Sequence, residues 1–207
     1  MTEPLVGVIL AGGLSRRMGG GDKCLRLLAG RPMLAHIIER ARPQVARLVL
    51  NANGDPTRFQ EFGLPVVADS VEGFAGPLAG VLAGLDWAAR HAPDCQFVAS
   101  FAGDAPFFPR NLTARFMAAV ADKAADLACA VSAGQTHPVF GLWRVDLRDE
   151  LRNALVNEKL YKVDRWTARY KLVPVDFAAV PFDPFYNANK PEDLAAAERL
   201  VARAQIR

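Results

Sequence analysis

Hydrophobic positions along the chain fall into two alternating rhythms. Leu5 to Ala11 is apolar on both faces, as a buried parallel strand would be. From Pro32 the pattern switches to helical spacing, with Leu34, Ile37, Ile38 and Ala41 on one face. Arg47–Leu50 and Pro65–Ala68 read as two further strands, and Pro77 opens a helix carrying Leu78, Val81, Leu82 and Leu85. Phe97–Phe101 predicts a fourth strand, followed by a helix through Leu112, Phe116 and Val120. In the second half, 127–131, 139–143 and 171–175 read as strands, and 146–156 and 191–204 as helices. Strands alternating with helices at this spacing predict an α/β fold whose mainly parallel sheet is covered on both faces.

Composition adds bounds. With 207 residues, no repeat and no low-complexity linker, a single domain spanning 1–207 is expected. Hydrophobic residues make up 51% and charged residues 23%, which argues against disorder. A net charge of +3 is too small for a nucleic-acid footprint. No run of about 18 apolar residues occurs, so no membrane partner is expected. Cys24, Cys95 and Cys129 are odd in number and unpaired in spacing, which suits a reducing compartment. The start, with Glu3 and Pro4, lacks the positive charge of a secretory signal, and the expected location is the cytoplasm.

Ligands of an open parallel sheet bind beyond the carboxyl ends of its strands. Four segments meet that description: Gly12–Lys23, Asn51-Ala52-Asn53, Asp69 and Gly103-Asp104. The first holds five glycines and the cations Arg16, Arg17 and Lys23. Glycines let backbone N–H groups approach an anion, and the cations suit a triphosphate. The spacing is neither a Walker loop, because Asp22 and Cys24 flank the lysine, nor the GxGxxG of dinucleotide folds. A turn-rich surface loop is the plain alternative for this segment, and a turn cap the plain alternative for Asp104.

The loop Leu10-Ala11-Gly12-Gly13-x-Ser15-x-Arg17-Met18-Gly19, followed by Asp22-Lys23, resembles the signature of sugar-nucleotide pyrophosphorylase-like nucleotidyltransferases. Asn51-Ala52-Asn53, Asp69-Ser70, Gly76–Gly80, Asp104, His137–Trp143 and Asn187–Leu194 narrow it. Together they resemble the molybdenum cofactor guanylyltransferases, the molybdopterin-guanine dinucleotide biosynthesis protein A family. The similarity runs from about Val8 to about Leu194. It implies a three-layer, Rossmann-like nucleotidyltransferase fold with a mainly parallel sheet. The implied reaction joins the GMP part of GTP to molybdopterin, using Mg²⁺ and releasing pyrophosphate.

By motif position the resemblance implies that Leu10, Ala11 and Gly12 lie against the nucleotide. Lys23 contacts its phosphates, Asn51 and Asp69 the nucleoside, and Asp104 the metal. Arg17, Lys23 and Asp104 are the implied catalytic set, and Asn189 is a further polar partner at the metal or the acceptor phosphate. Nucleotidyl transfer between two anions is mainly positioning and charge neutralisation. Mg²⁺ commonly takes one or two carboxylates besides phosphate oxygens and waters, so Asp104 alone suffices. A carboxylate at Asp69 could accept the N1–H and 2-amino hydrogens of guanine, as could backbone groups around Pro77–Gly80.

Several features stay open at this level. His137 has no serine or cysteine motif to partner it, and a phosphate nucleophile needs no base, so its segment is expected to shape the pterin side or to be structural. His36 and His91 sit in helical patterns and receive no role, and Trp87, Trp143 and Trp166 are expected in the core. Lys159, Lys162, Arg165, Arg169 and Lys171 read as a solvated face, or as a dock for molybdopterin or for proteins that deliver the cofactor. Lys190 stands where the last helix would have a serine or threonine cap, and 125–135 carries no recognisable motif. Alternatives are a CTP-dependent enzyme on the same acceptor, a sugar-phosphate nucleotidyltransferase, and a nucleotide-binding regulator without catalysis.

Overall fold

The computed structural model describes residues 4–12, 22–71, 73, 76–188, 193, 195, 198 and 199. β1 (Val6–Leu10) is followed by a short hairpin, β2 (Leu27–Leu28) with β3 (Arg31–Pro32), and by α1 (Met33–Ala41). β4 (Arg47–Asn51), β5 (Val66–Val67), α2 (Pro77–His91), β6 (Phe97–Ala102) and α3 (Leu112–Lys123) complete the first half. Then come β7 (Leu127–Ser132), β8 (Gln135–Arg144), α4 (Arg148–Val156), α5 (Val163–Thr167) and β9 (Leu172–Phe177).

Seven strands form one sheet in the order β5-β4-β1-β6-β8-β7-β9. β1 pairs in parallel with both β4 and β6, and β8 alone runs against its neighbours. β1 is apolar on both faces because both are covered. Ile9 packs with α1 and α3, whereas Val6 and Val8 pack with α2, α4 and α5. On α2, Leu78, Val81, Leu82 and Leu85 are all buried against the sheet, as their helical spacing predicts. The result is a helix–sheet–helix sandwich, a Rossmann-like α/β fold with a mostly parallel sheet.

From β1 the chain moves outward to β4 and β5, then returns to β6 on the other side of β1. Strand order therefore reverses between β1 and β6, and their carboxyl ends border a crevice. Backbone bonds hold the tails together: Ala11 N donates to Asn51 O (2.9 Å), Gly103 N to Leu10 O (3.0 Å) and Ala52 N to Val67 O (3.0 Å).

Among the boundaries that differ from the sequence reading, three have a clear local cause. Pro32 does not open α1; it pairs with Leu27 in the hairpin, and its ψ of 136° is extended. A tight 3-10 turn over Val145–Leu147 takes the start of the helix expected from residue 146, and α4 begins at Arg148. β8 starts four residues before Val139. A two-residue turn at Ala133-Gly134, with φ of 48° and 75°, joins it to β7. Pro138 is tolerated inside β8 because the β7 ladder shifts register between Cys129 and Ala130, while the recorded β6 pairing runs from Arg144 only as far as Leu142. Ser100 fills that divergence. Its Oγ donates to Val139 O (2.5 Å) and accepts from Gly141 N and the Trp143 indole. Of the closing helix expected over 191–204, Asp193, Ala195, Glu198 and Arg199 are helical, and the other positions, with Lys190 before them, lie outside the described residues.

Candidate active site

Lys23 opens a single 3-10 turn, Lys23–Leu25, whose middle residue Cys24 is sunk in the core. Burial, with the charge of Asp22 beside it, pushes the Cys24 thiol up to about 12, so it stays neutral and acts as an anchor. With Cys24 pointing inward, Lys23 reaches across the mouth of the crevice to Asp104, Nζ to Oδ2 2.6 Å. The two side chains are 13% and 28% exposed, sheltered enough to strengthen their attraction and open enough to meet a solute. Asp104 follows β6 by two residues, and its backbone oxygen accepts from Ala188 N at 2.9 Å, which brings the late Asn187-Ala188 segment alongside. Leu10 is half-buried, Ala11 is buried, and Gly12 is exposed at the rim.

On the other side of β1, Asp69 is held by two asparagines. Asn51 Nδ2 donates to its Oδ1 (2.9 Å) and Asn53 Nδ2 to its Oδ2 (2.7 Å), while Asp69 N donates back to Asn53 Oδ1 (2.9 Å). Asn51 is only 4% exposed, and its amide also donates to Val67 O, so it reaches the crevice chiefly through Asp69. Asn53, two residues on, sits in the exposed tail of the strand. Its grip on Asp69 was not foreseen; the one signal was a second asparagine at the same side-chain period. Arg17 and Asn189 lie outside the described residues.

His137 gains a hydrogen-bond partner without changing its reading. No sequence motif paired it with a serine, yet Ser132 Oγ lies 2.6 Å from its Nε2 and donates to Asp183 Oδ1 at 2.8 Å. The hairpin turn brings Ser132 back to His137, and a residue 46 positions after His137 completes the line. The serine stands between histidine and aspartate with its proton aimed at the carboxylate, so the histidine does not activate it as a nucleophile. The ring stacks on Phe185, centroids 4.6 Å apart. Burial lowers the His137 pKa, with Asp183 acting against the shift.

The remaining expectations divide. His36 Nε2 meets Leu28 O (2.9 Å) and His91 Nδ1 meets Trp87 O (3.0 Å), both structural contacts. Trp143 and Trp166 are core residues, and Trp87 is half-buried against His91. The late basic residues are exposed around α5 and before β9, and Arg169 is paired with Glu158. Two cavities, about 400 and 260 Å³, lie away from the crevice: one is lined by Gln96, Arg144 and Asp149, the other by Cys129, Trp143 and Tyr170.

As chemistry, the crevice offers an ammonium, a carboxylate that could take a hard cation, and at its other end a rigid acceptor. Among the described residues no cluster of three histidine, cysteine or acidic side chains could build an all-protein metal cage. Oxygen donors in such low number suit an ion that keeps waters and binds partly through phosphate. A switch-point crevice that carries an ammonium and a carboxylate suits an anionic ligand with a hard cation. Residues 7–172 match the model of the MobA-like NTP transferase domain.

Two molybdenum cofactor guanylyltransferases are close in sequence. That of Bradyrhizobium sp. (strain ORS 278) is 60% identical over 97% of this chain and 95% of its own. That of Rhodopseudomonas palustris (strain BisB5) is 57% identical over 95% and 93%. The crystal structure of molybdopterin-guanine dinucleotide biosynthesis protein A from Archaeoglobus fulgidus shares the fold, with a TM-score of 0.73 and 22% identity. That superposition covers 96% of this chain and 99% of the other. The chain belongs to the molybdenum cofactor guanylyltransferase family, and its enzyme class is nucleotidyltransferase.

Proposed function

We infer that this protein transfers GMP from GTP to molybdopterin, forming molybdopterin guanine dinucleotide and releasing pyrophosphate. The observation that carries the reading is the meeting of Lys23 and Asp104 at 2.6 Å, at the point where strand order reverses. The family membership supports this choice of the two substrates.

In this reading a terminal phosphate oxygen of molybdopterin attacks the α-phosphorus of GTP in line, and the bond to the β-phosphate oxygen breaks. Bound Mg²⁺, held by Asp104 together with phosphate oxygens, would supply charge neutralisation during transfer. Lys23, freed from Asp104 by competition with the triphosphate, holds the phosphates, and Arg17 adds a second cation. The tails Leu10–Gly12 bear on the nucleotide. Asp69, its two oxygens already turned by Asn51 and Asn53, accepts the N1–H and 2-amino hydrogens of guanine through its remaining lone pairs. No side chain needs to remove a proton from the nucleophile, because a phosphate is ionised near neutral pH.

Pyrophosphate release measured with molybdopterin, Mg²⁺ and either GTP or CTP tests this directly. GTP is expected to support turnover, and Asp104→Ala and Lys23→Ala to lower it by about a hundredfold or more. Preference for CTP would remove the guanylyl assignment, and full turnover by both variants would remove the mechanism.

A further inference from the structure

Arg58 belongs to the 3-10 stretch Pro56–Phe62, outside every motif that signals the active site. Its guanidinium nevertheless joins the two ends of the crevice. Nη2 donates to Asn53 O (2.5 Å), Nη1 donates to Asp55 O (2.7 Å), and Nε lies 2.5 Å from Asp22 Oδ2. The guanidinium carbon sits 4.7 Å from the ring centre of Phe59, which is fully buried. Gly54, at φ +83°, leaves the space; a Cβ there would come within 3.1 Å of Nη1. Asp55 pins the turn by accepting from Thr57 N and Thr57 Oγ1. This is a cradle built for a planar, three-nitrogen cation.

What the cradle connects matters more than its local stability. Asp22 immediately precedes Lys23, which reaches Asp104. Asn53 holds the Asp69 carboxylate and its backbone N–H. Contacts therefore run without a break from Asp104 through Lys23, Asp22, Arg58 and Asn53 to Asp69. Nη1 and Nη2 are hydrogen-bonded to backbone oxygens, and Nε is ion-paired with Asp22 without a hydrogen bond, so Arg58 is spent on the scaffold. We propose that Arg58 is a positioning residue for nucleotidyl transfer: it sets the separation between the phosphate-holding lysine and the base-reading carboxylate without touching the nucleotide. The proposal rests on the function inferred above and extends it to a residue that no active-site motif contains. A lysine cannot replace it, since a single ammonium cannot serve three acceptors in a plane.

The test uses the full chain, with GTP·Mg²⁺ binding by calorimetry and pyrophosphate release with molybdopterin as paired readouts. Arg58→Ala, Arg58→Lys, Asp22→Asn and the double variant Arg58→Ala/Asp22→Asn are compared with Lys23→Ala. Arg58→Ala and Asp22→Asn are each expected to lose about tenfold in GTP affinity and in kcat/KM, as misplaced supporting groups do. The double variant should be no worse than the weaker single, because both cut one link. Added guanidinium ion should restore part of the loss in Arg58→Ala and none in Lys23→Ala, which ties the loss to the vacated guanidinium site. Arg58→Lys should stay impaired.

Unchanged GTP affinity in Arg58→Ala, losses in the double variant that multiply, or absence of guanidinium rescue in folded protein would each overturn the proposal. Should Arg58→Ala fail to fold, wild-type GTP affinity in Asp22→Asn would overturn it alone. Failure of the function itself looks different: Lys23→Ala and Asp104→Ala would then bind and turn over GTP as the parent does.

Discussion

Adding one methyl group at Gly80 is predicted to damage both the fold and the Asn51–Asp69 end of the crevice. Gly80 lies in the first turns of α2, where the helix rests on the tails of β1 and β4. A Cβ there would stand 2.3 Å from Asn51 Oδ1 and 2.8 Å from Leu10 Cδ2. Neither neighbour can swing away freely. Leu10 is strand residue and half-buried, and the Asn51 amide is tied to Val67 O and Asp69 Oδ1. Overpacking of this kind costs about 1–3 kcal/mol, and breaking an Asn51 hydrogen bond adds about 1. Replacing glycine by alanine inside a helix returns about 1 kcal/mol. Gly80→Ala should therefore lose about 2 kcal/mol, a fall of about 4–8 °C in Tm for a chain of this size.

Gly84→Ala is the matched control. Its Cβ would meet Val8 Cβ and Cγ1 at 2.9 Å, a similar crowding one helical turn further along, but with no link to Asp69. Urea denaturation should show both variants destabilised, while calorimetry should show GTP·Mg²⁺ binding weakened about tenfold in Gly80→Ala alone. A Gly80→Ala protein as stable as the parent, with unchanged GTP affinity, would refute the reasoning. Helix propensity would then have outweighed the contact, and the Asn51–Asp69 bond would not matter to the nucleotide.

Two further outcomes follow from buried titratable groups. Cys24, Cys95 and Cys129 are all buried free thiols raised above their ordinary pKa by desolvation, so native protein at pH 8 should react negligibly with a thiol reagent within minutes, while denatured protein should release three equivalents; prompt reaction of one thiol before unfolding would contradict the burial assigned to it. His137 is held below its ordinary 6.5 by burial, so the unfolded chain takes up a proton first as pH falls, and the stability that its neutral form contributes is present above about pH 6.5 and lost below it; His137→Gln should flatten the decline in urea midpoint between pH 7.0 and 5.5, and an equally steep decline would count against the assignment.

Local patterns in the amino-acid sequence were sufficient for most of the long strands and helices, but not for the hairpin β2–β3 or for α5. Doubly apolar Val6–Leu10, short and followed by glycines, read as a covered strand, and helical spacing in Leu78–Leu85 named the face that α2 buries. Such signals are short-range, because side-chain period depends only on neighbouring residues. The two-residue strands β2 and β3 carried too few positions to show a period, and the early start of β8 was masked by Pro138. Asp104, Lys23 and Asp69 stood out by residue type and place at strand ends. Their pairings did not, since Lys23 and Asp104 are 81 positions apart and meet only once β1 and β6 lie side by side. Register decided two more contacts, setting Asn51 and Asn53 on one carboxylate and turning Ser132 back onto His137, while the 3-10 stretch Pro56–Phe62 let Arg58 close on Asp22. Strand order and register come from burying two faces of one sheet at once, a condition on the whole chain that no single segment contains.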